Sequence, residues 1–267
     1  GIMKSGSGYT TDLIIQGAVA TGGVLYLADL DSAAVHKAAM PTTVEATTEP
    51  LGLATDGTNL FLLLDGEPVD GIQVVSTAGV VVTSFDAPTD SAGGLHYQNG
   101  KLLVAGKEGD TKVWQLNPST GAVEDSWHPQ NEWGQIWESP HGLAGDGDDV
   151  VVLSRGTSDR LMAHEEGDGD FEWETNWDWP DHENTLDGPT GLAKAPEDDQ
   201  YLTAKNDEIQ LVDVDTQKIV SQFENLSVDD IQGIVMIGDN IYLADADTAK
   251  IYGTALSLTQ TYTTNPL

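Results

Sequence analysis

The residues with chemical potential in this chain are a small set of cations and tryptophans in a strongly acidic background. Lys107, Arg155 and Lys205 each follow a short apolar run, and the chain has only 11 basic residues to place. Near them in sequence lie Trp133, Trp137 and Trp179, in long connections without an equivalent elsewhere in the chain. Lysine and arginine hold carboxylate, sulfate or phosphate groups, and flat indole faces pack against sugar rings. The combination predicts a ligand-binding site for an anionic small molecule or an acidic or sulfated glycan, with His141 beside it. A structural use of the same residues stands next to this one. The cations would pair with Asp90, Glu138 and Asp187, and the tryptophans would pack the long loops down.

A second donor set is His96, His141 and Glu138, two imidazoles and a carboxylate of the kind that holds Zn²⁺ and supports elimination or ring opening through Lewis acidity. Glu49, Asp90, Glu138, Asp187 and Asp229 offer oxygen ligands suited to Ca²⁺, or a solvated acidic rim. No cofactor is required by the sequence; a divalent cation, Ca²⁺ or Zn²⁺, at a channel mouth is the one expected if any is bound. Glu165-Glu166-Gly167-Asp168-Gly169-Asp170 reads as a hairpin turn, lacking the spacing and closing glutamate of a calcium loop.

These residues must be positioned by a repeating element. Between Gly142 and Trp177 the sequence reads as four short strands: one opening at Gly142-Leu143-Ala144, then Val150–Ser154, Leu161–Ala163 and Phe171–Trp177. The opening recurs at Gly17, Gly52, Gly94, Gly191 and Gly233, with steps of 35, 42, 48, 49 and 42 residues. Such periods are those of propeller blades, about 40–50 residues. Asp56-Gly57, Asn99-Gly100 and Asp146-Gly147 supply the positive φ of tight hairpins. Second strands such as Leu60–Leu64 are apolar throughout, as strands covered on both faces must be. Four strands per unit and six units predict an all-β, six-bladed β-propeller with four antiparallel strands per blade.

The first and last units align without a gap, from Ile15-Gln16-Gly17 against Ile231-Gln232-Gly233 to Pro50-Leu51 against Pro266-Leu267. Residues 1–11 read as a linker or expression-derived segment plus the end of a preceding strand. Residues 12–267 read as a single propeller, one module of a longer protein, with neighbouring domains as partners. The patterns PLGLATDGTNLFLLLD and VWQLNPSTGAVEDSW resemble the blades of the NHL, YncE and gluconolactonase-type propellers, and Ser139-Pro140-His141-Gly142 is similar to the Pro-His-Gly of streptogramin lyases. That resemblance implies the architecture, and with it lactonases, lyases and plain binding scaffolds.

Composition narrows the classes. The formal charge is −33, from 44 acidic and 11 basic residues spread along the chain. This argues against nucleic acid or anionic membrane surfaces as partners. No 18-residue apolar run is present, so no membrane-inserted helix is expected. Cysteine is absent, which removes disulfides and thiolate metal sites. A surface of this charge repels itself at low salt and is screened at high salt. The expected setting is extracellular or cell-surface in a marine or halophilic source, with a halophile cytoplasm as the alternative. The leading functional expectation is a binding module; the alternatives are a metal-dependent lyase or lactonase and a structural module in a tandem array.

Overall fold

The computed structural model describes residues 48–66, 70–76, 80–107, 111–136, 139–155, 159–175, 189–197, 199–206, 208–223, 230–237, 240–247 and 250–254, and the backbone of 15–21, 24–29, 34–39 and 42–45. The first described strands are β1 (Ile15–Thr21), β2 (Val24–Asp29), β3 (Ala34–Ala39) and β4 (Thr42–Glu45). Four blades of consecutive strands follow. Blade I is β5 (Pro50–Thr55), β6 (Asn59–Leu64), β7 (Gly71–Ser76) and β8 (Val81–Asp86). Blade II is β9 (Ala92–Gln98), β10 (Lys101–Gly106), β11 (Val113–Leu116) and β12 (Val123–Trp127). Blade III is β13 (Pro140–Asp146), β14 (Asp149–Ser154), β15 (Arg160–Glu165) and β16 (Phe171–Glu174). Blade IV is β17 (Gly191–Lys194), β18 (Gln200–Lys205), β19 (Glu208–Asp213) and β20 (Lys218–Phe223). The chain then forms β21 (Ile231–Ile237), β22 (Asn240–Asp245) and β23 (Lys250–Thr254), and β4 completes this fifth sheet in the order β21-β22-β23-β4.

The four-stranded antiparallel blade is as expected, but the blade number is not six. The inner strands pack in the closed order β5, β9, β13, β17, β21 and back to β5. Four blades are built from consecutive strands and a fifth is composite. Its outer strand arrives from the N-terminal side, in the register Lys250↔Glu45, Ile251↔Val44, Tyr252↔Thr43 and Gly253↔Thr42. The sheet β1-β2-β3 is separate from these five. Six copies of the repeat do not make six blades. Units one and six are copies of the same blade, and the ring has one seat for them.

Packing follows the period-2 logic of strands covered on both faces. Alternate residues of each second strand enter two different cores. Phe61 and Leu63 pack with blade II residues such as Leu102 and Trp114, whereas Leu60 and Leu62 pack with Ala244 of the fifth blade. Three more clusters fill the remaining blade boundaries: Leu103 and Trp127 with Val152, Leu153 with Tyr201, and Leu202 with Ile234 and Leu243. Five boundaries with five cores are what a closed ring of five requires. Of the outermost strands, β8 and β12 are exposed along most of their length, whereas β16 is mostly half-buried.

The recurring glycine has a steric cause. A Cβ on Gly94 would stand 2.6 Å from the His141 carbonyl oxygen, and one on Gly233 2.7 Å from the Leu53 nitrogen. The inner strands approach so closely that the axial channel has space of about 10 Å³, room for about one water. At the hairpins, Asn99 (φ 48°) and Gly100 (φ 80°) adopt the left-handed pair expected of a tight turn.

Blades III and IV are also joined by polar contacts under the cores. The Tyr201 hydroxyl donates to Asp146 Oδ2 (2.6 Å), Lys194 Nζ lies 3.4 Å from the same oxygen, and its ammonium sits 4.5 Å over the Tyr201 ring. The Tyr201 side chain is fully buried. Tyr201→Phe is expected to cost about 1.5–3 kcal/mol, the range for a hydrogen bond to a charged group. Urea unfolding of the variant checks it; an unchanged midpoint would remove this bond from the account of blade packing.

Candidate functional site

The face of the ring where the inner strands begin carries the sequence-predicted cations. In blades I to III the residue two beyond the partner of the opening glycine donates its backbone N–H to the residue before the inner strand. These bonds are Asp65 to the Glu49 carbonyl (2.8 Å), Lys107 to Ser91 (2.6 Å) and Arg155 to Ser139 (3.1 Å). Lys107 and Arg155 are therefore equivalent positions on adjacent blades, as expected. Lys205 is not a third copy. The opening glycine of blade IV, Gly191, pairs with Ala204, so Lys205 lies one residue beyond that partner rather than two. Asp29 and Asp245 are displaced in the same way, beside Ala28 and Ala244. One residue along a strand changes the face a side chain leaves from.

His141 stands at the start of β13 and lines the mouth of the axial channel, among Gly94, Leu95, Thr190 and Gln232. Its Nε2 is 3.2 Å from the Ser139 hydroxyl. Burial drives its pKa down to about 3, helped by the positive charges of Lys107 and Arg155. The imidazole is thus neutral at physiological pH. The Lys107 stem lies against Gly93, where a Cβ would meet its Cγ and Cε at 2.7 Å. Burial lowers the Lys107 pKa, the negative charge of Asp70 works against that shift, and Arg155 adds to it. Neither Lys107 nor Arg155 closes an ion pair with a described residue, so the expected structural pairing with Asp90 is not made.

Asp70 is the residue that sequence reasoning missed. It is 3% exposed, and Oδ2 accepts the Ala92 N–H (2.9 Å) while Oδ1 accepts that of Gly66 (3.4 Å). It holds the start of β9 and supplies the negative charge that acts most strongly on Lys107, and burial raises its own pKa. Among 44 acidic residues nothing in its local sequence singled it out.

Trp133 is displayed on a compact loop between β12 and β13. Asn131, 2% exposed, holds that loop: its Oδ1 accepts the N–H groups of Trp133 (3.0 Å) and Gln135 (2.9 Å). The Trp133 side chain itself is 71% exposed. Trp137, Glu138 and Trp179 lie outside the described residues, as does the side chain of Lys205.

The donor set His96, His141 and Glu138 is not assembled among the described residues. His96 is further along its inner strand, towards the opposite face, with Nε2 3.3 Å from Gln98 Oε1, whereas His141 is at the mouth. Among the described residues, the carboxylates that come within reach of a shared ion are Glu165, Asp168 and Asp170, all exposed at the β15–β16 turn. Mutual repulsion, with Asp168 foremost, raises the pKa of Glu165. That turn is on the face opposite His141, because β15 runs from Arg160 beside Ser154 to Glu165 beside Asp149. These three carboxylates could hold a hard cation through oxygen ligands.

The fold and this mouth define the class: an all-β propeller with cations at the channel entrance. No protein-family model matches the chain, and no curated protein matches it in sequence. Among solved structures it is similar to the glutaminyl cyclase of Myxococcus xanthus, with a TM-score of 0.63 and 14% identity over 82% of this chain and 96% of that chain. BamB from Moraxella catarrhalis aligns with a TM-score of 0.41 and 16% identity, over 90% of this chain and 71% of that chain. At such identities the likeness to the cyclase speaks for the propeller fold alone, and it does not carry the resemblance to NHL and YncE-type blades beyond that fold.

Proposed function

We propose that this protein is a propeller binding module whose ligand is held at the channel mouth by Lys107 and Arg155, with the neutral His141 imidazole lining the same mouth. The supporting observation is the equivalence of two partly buried cations on adjacent blades, neither neutralised by an ion pair with a described residue, in a chain of formal charge −33. Elsewhere the acidic surface repels anions; at this spot one is stabilised by charge-assisted hydrogen bonds. Trp133 supplies an exposed aromatic face for an apolar or sugar portion of the ligand. An acidic or sulfated glycan fits both features, and Trp137, Trp179 and Lys205 belong to the same proposal. An extracellular setting in salty surroundings accords with the charge.

A lyase or lactonase reading needs a metal bound by His96, His141 and Glu138, and the separation of the two histidines weakens it. A metal-free acid–base reading rests on a specific pair, Lys107 with its lowered pKa beside neutral His141.

Calorimetric titration with uronate and sulfated oligosaccharides at about 0.15 M salt tests the proposal. Binding is expected to weaken at least tenfold in the Lys107→Met, Arg155→Met double variant, about 1.4 kcal/mol or more. Bound anion should also raise the His141 pKa from about 3, since it offsets the repulsion by the two cations. Binding that the double variant leaves intact, or a complete lack of binding, would sink the reading.

A further inference from the structure

The fifth seat of the ring lies between β17 and β5, and the chain carries two sheets written for it. The β1–β2 and β21–β22 hairpins repeat each other 216 positions apart (Ile15 to Ile231). Their registers coincide: Gly17↔Ala28 and Val19↔Tyr26 in one, Gly233↔Ala244 and Val235↔Tyr242 in the other. Even the pairing irregularity falls at the same place, between Ile15 and Gly17 and between Ile231 and Gly233.

The shared residues are those the seat demands. Ile231 and Ala244 are wholly buried, Leu243 and Asp245 are 1% exposed, and Gly233 has no space for a Cβ. The first hairpin carries Ile15, Ala28, Leu27, Asp29 and Gly17 at the matching positions. A sheet with no ring to enter has no use for a glycine and an aspartate at those places. Identity concentrated on seat contacts is a record of the seat itself.

The strand β4 makes the exchange topologically simple. It forms the outer edge of the fifth blade by pairing with β23, and it leads directly into β5. On its other side, in the register it keeps with β23, Thr42 would face Lys37, the counterpart of Gly253, and the four residues from Ala38 to Pro41 would make the connection, a common hairpin length. If β1-β2-β3 took the seat, β4 would stay where it is and pair with β3 instead of β23. Blades I to IV would not move.

We propose that the seat between β17 and β5 accepts either three-stranded sheet, so that the ring has two alternative closures. In one, β21-β22-β23 enters and β4 seals it from across the chain. In the other, β1-β2-β3 enters with β4 as its own hairpin partner, and β21-β22-β23 is released.

Glycine variants test this, because a larger residue bars one sheet from the seat and leaves the other. Gly233→Val should leave a folded, cooperative propeller, closed by β1-β2-β3; Gly17→Val should do the same with β21-β22-β23. The double variant Gly17→Val, Gly233→Val should lose the cooperative transition. If Gly233→Val alone unfolds as completely as the double variant, the exchange does not occur.

The lack of cysteine allows a second readout. Paired strand residues lie within disulfide range, with Cα atoms about 4.5–5.5 Å apart. Val44→Cys with Ile251→Cys should trap the first closure, and Val35→Cys with Val44→Cys the second, both as monomers with native melts. In the Gly233→Val background the second cross-link should form to near completion and the first should fall at least tenfold. An unchanged yield of the first cross-link in that background would overturn the proposal.

Discussion

Gly94→Ala is expected to lower the unfolding free energy by about 3 kcal/mol, the upper end for overpacking a filled interior, whereas Gly71→Ala should change it by less than about 0.5 kcal/mol. Both glycines lie in strands, and neither has a positive φ, so backbone freedom does not distinguish them. The difference is distance. A methyl group on Gly94 would be 2.6 Å from the His141 carbonyl oxygen and 2.9 Å from the Gly142 Cα, while one on Gly71 has nothing within 4 Å. The obstruction at Gly94 is backbone of the neighbouring inner strand, which cannot rotate aside as a side chain can. Relief requires β9 and β13 to separate, and in a closed ring that displacement is passed to every other boundary. Urea midpoints of the two variants measured together decide the point. Equal small losses would mean that the inner strands are less tightly packed than the geometry states. The position is also instructive for the site, since a wider β9–β13 spacing would move Lys107 away from His141. Anion binding by any folded Gly94→Ala fraction should fall with its stability.

What was legible in the sequence was whatever depends on a single unit. Turn residues such as Asn99-Gly100, the apolar second strands and the opening glycine each report local needs, and all were readable. What was not legible was a property of the closed ring. Units at Gly17 and Gly233 look like two blades until the ring is seen to have one place for both, and their gapless likeness was the available signal. The site divides along the same line. Lys107 and Arg155 were legible because each stands directly past its second strand, which ends at Gly106 in blade II and at Ser154 in blade III. Lys205 was misplaced because its equivalence depends on pairing to Gly191, which no count along the chain supplies. Asp70 acts through a contact across a blade boundary, with Ala92 as its partner, and was invisible for that reason.

His164→Phe should leave stability near neutral pH within about 1 kcal/mol of the parent, yet remove about 2.5 kcal/mol of the loss that acid causes by pH 4.5. His164 is fully buried, with its ring 5.1 Å from that of Trp127 and 6.1 Å from that of Phe171. Its Nδ1 lies 3.2 Å from the Gly169 carbonyl oxygen, which makes Nδ1 the protonated nitrogen of the neutral ring. Nε2 has no hydrogen-bond partner, a modest loss for a lone pair but a severe one for a charged N–H. Burial therefore drives the pKa down to about 4, with the Gly169 carbonyl working in the opposite direction. The folded value lies below the unfolded value of about 6.5. The neutral ring's contribution is thus complete above that pH and is lost as the pH falls towards 4, because the unfolded chain binds the proton more readily. His96, also lowered to about 4, and His141, lowered to about 3, add to the same trend. Between pH 6.5 and 5 most carboxylates remain ionised, so relief of the chain's negative charge does not yet oppose it. Phenylalanine keeps the aromatic packing and cannot take up the proton; it gives up one hydrogen bond and removes one unsatisfied atom. Urea unfolding of parent and variant at pH 7 and pH 4.5 gives the four numbers needed. If the two proteins lose stability in parallel as the pH falls, His164 is not the group that links acid to unfolding.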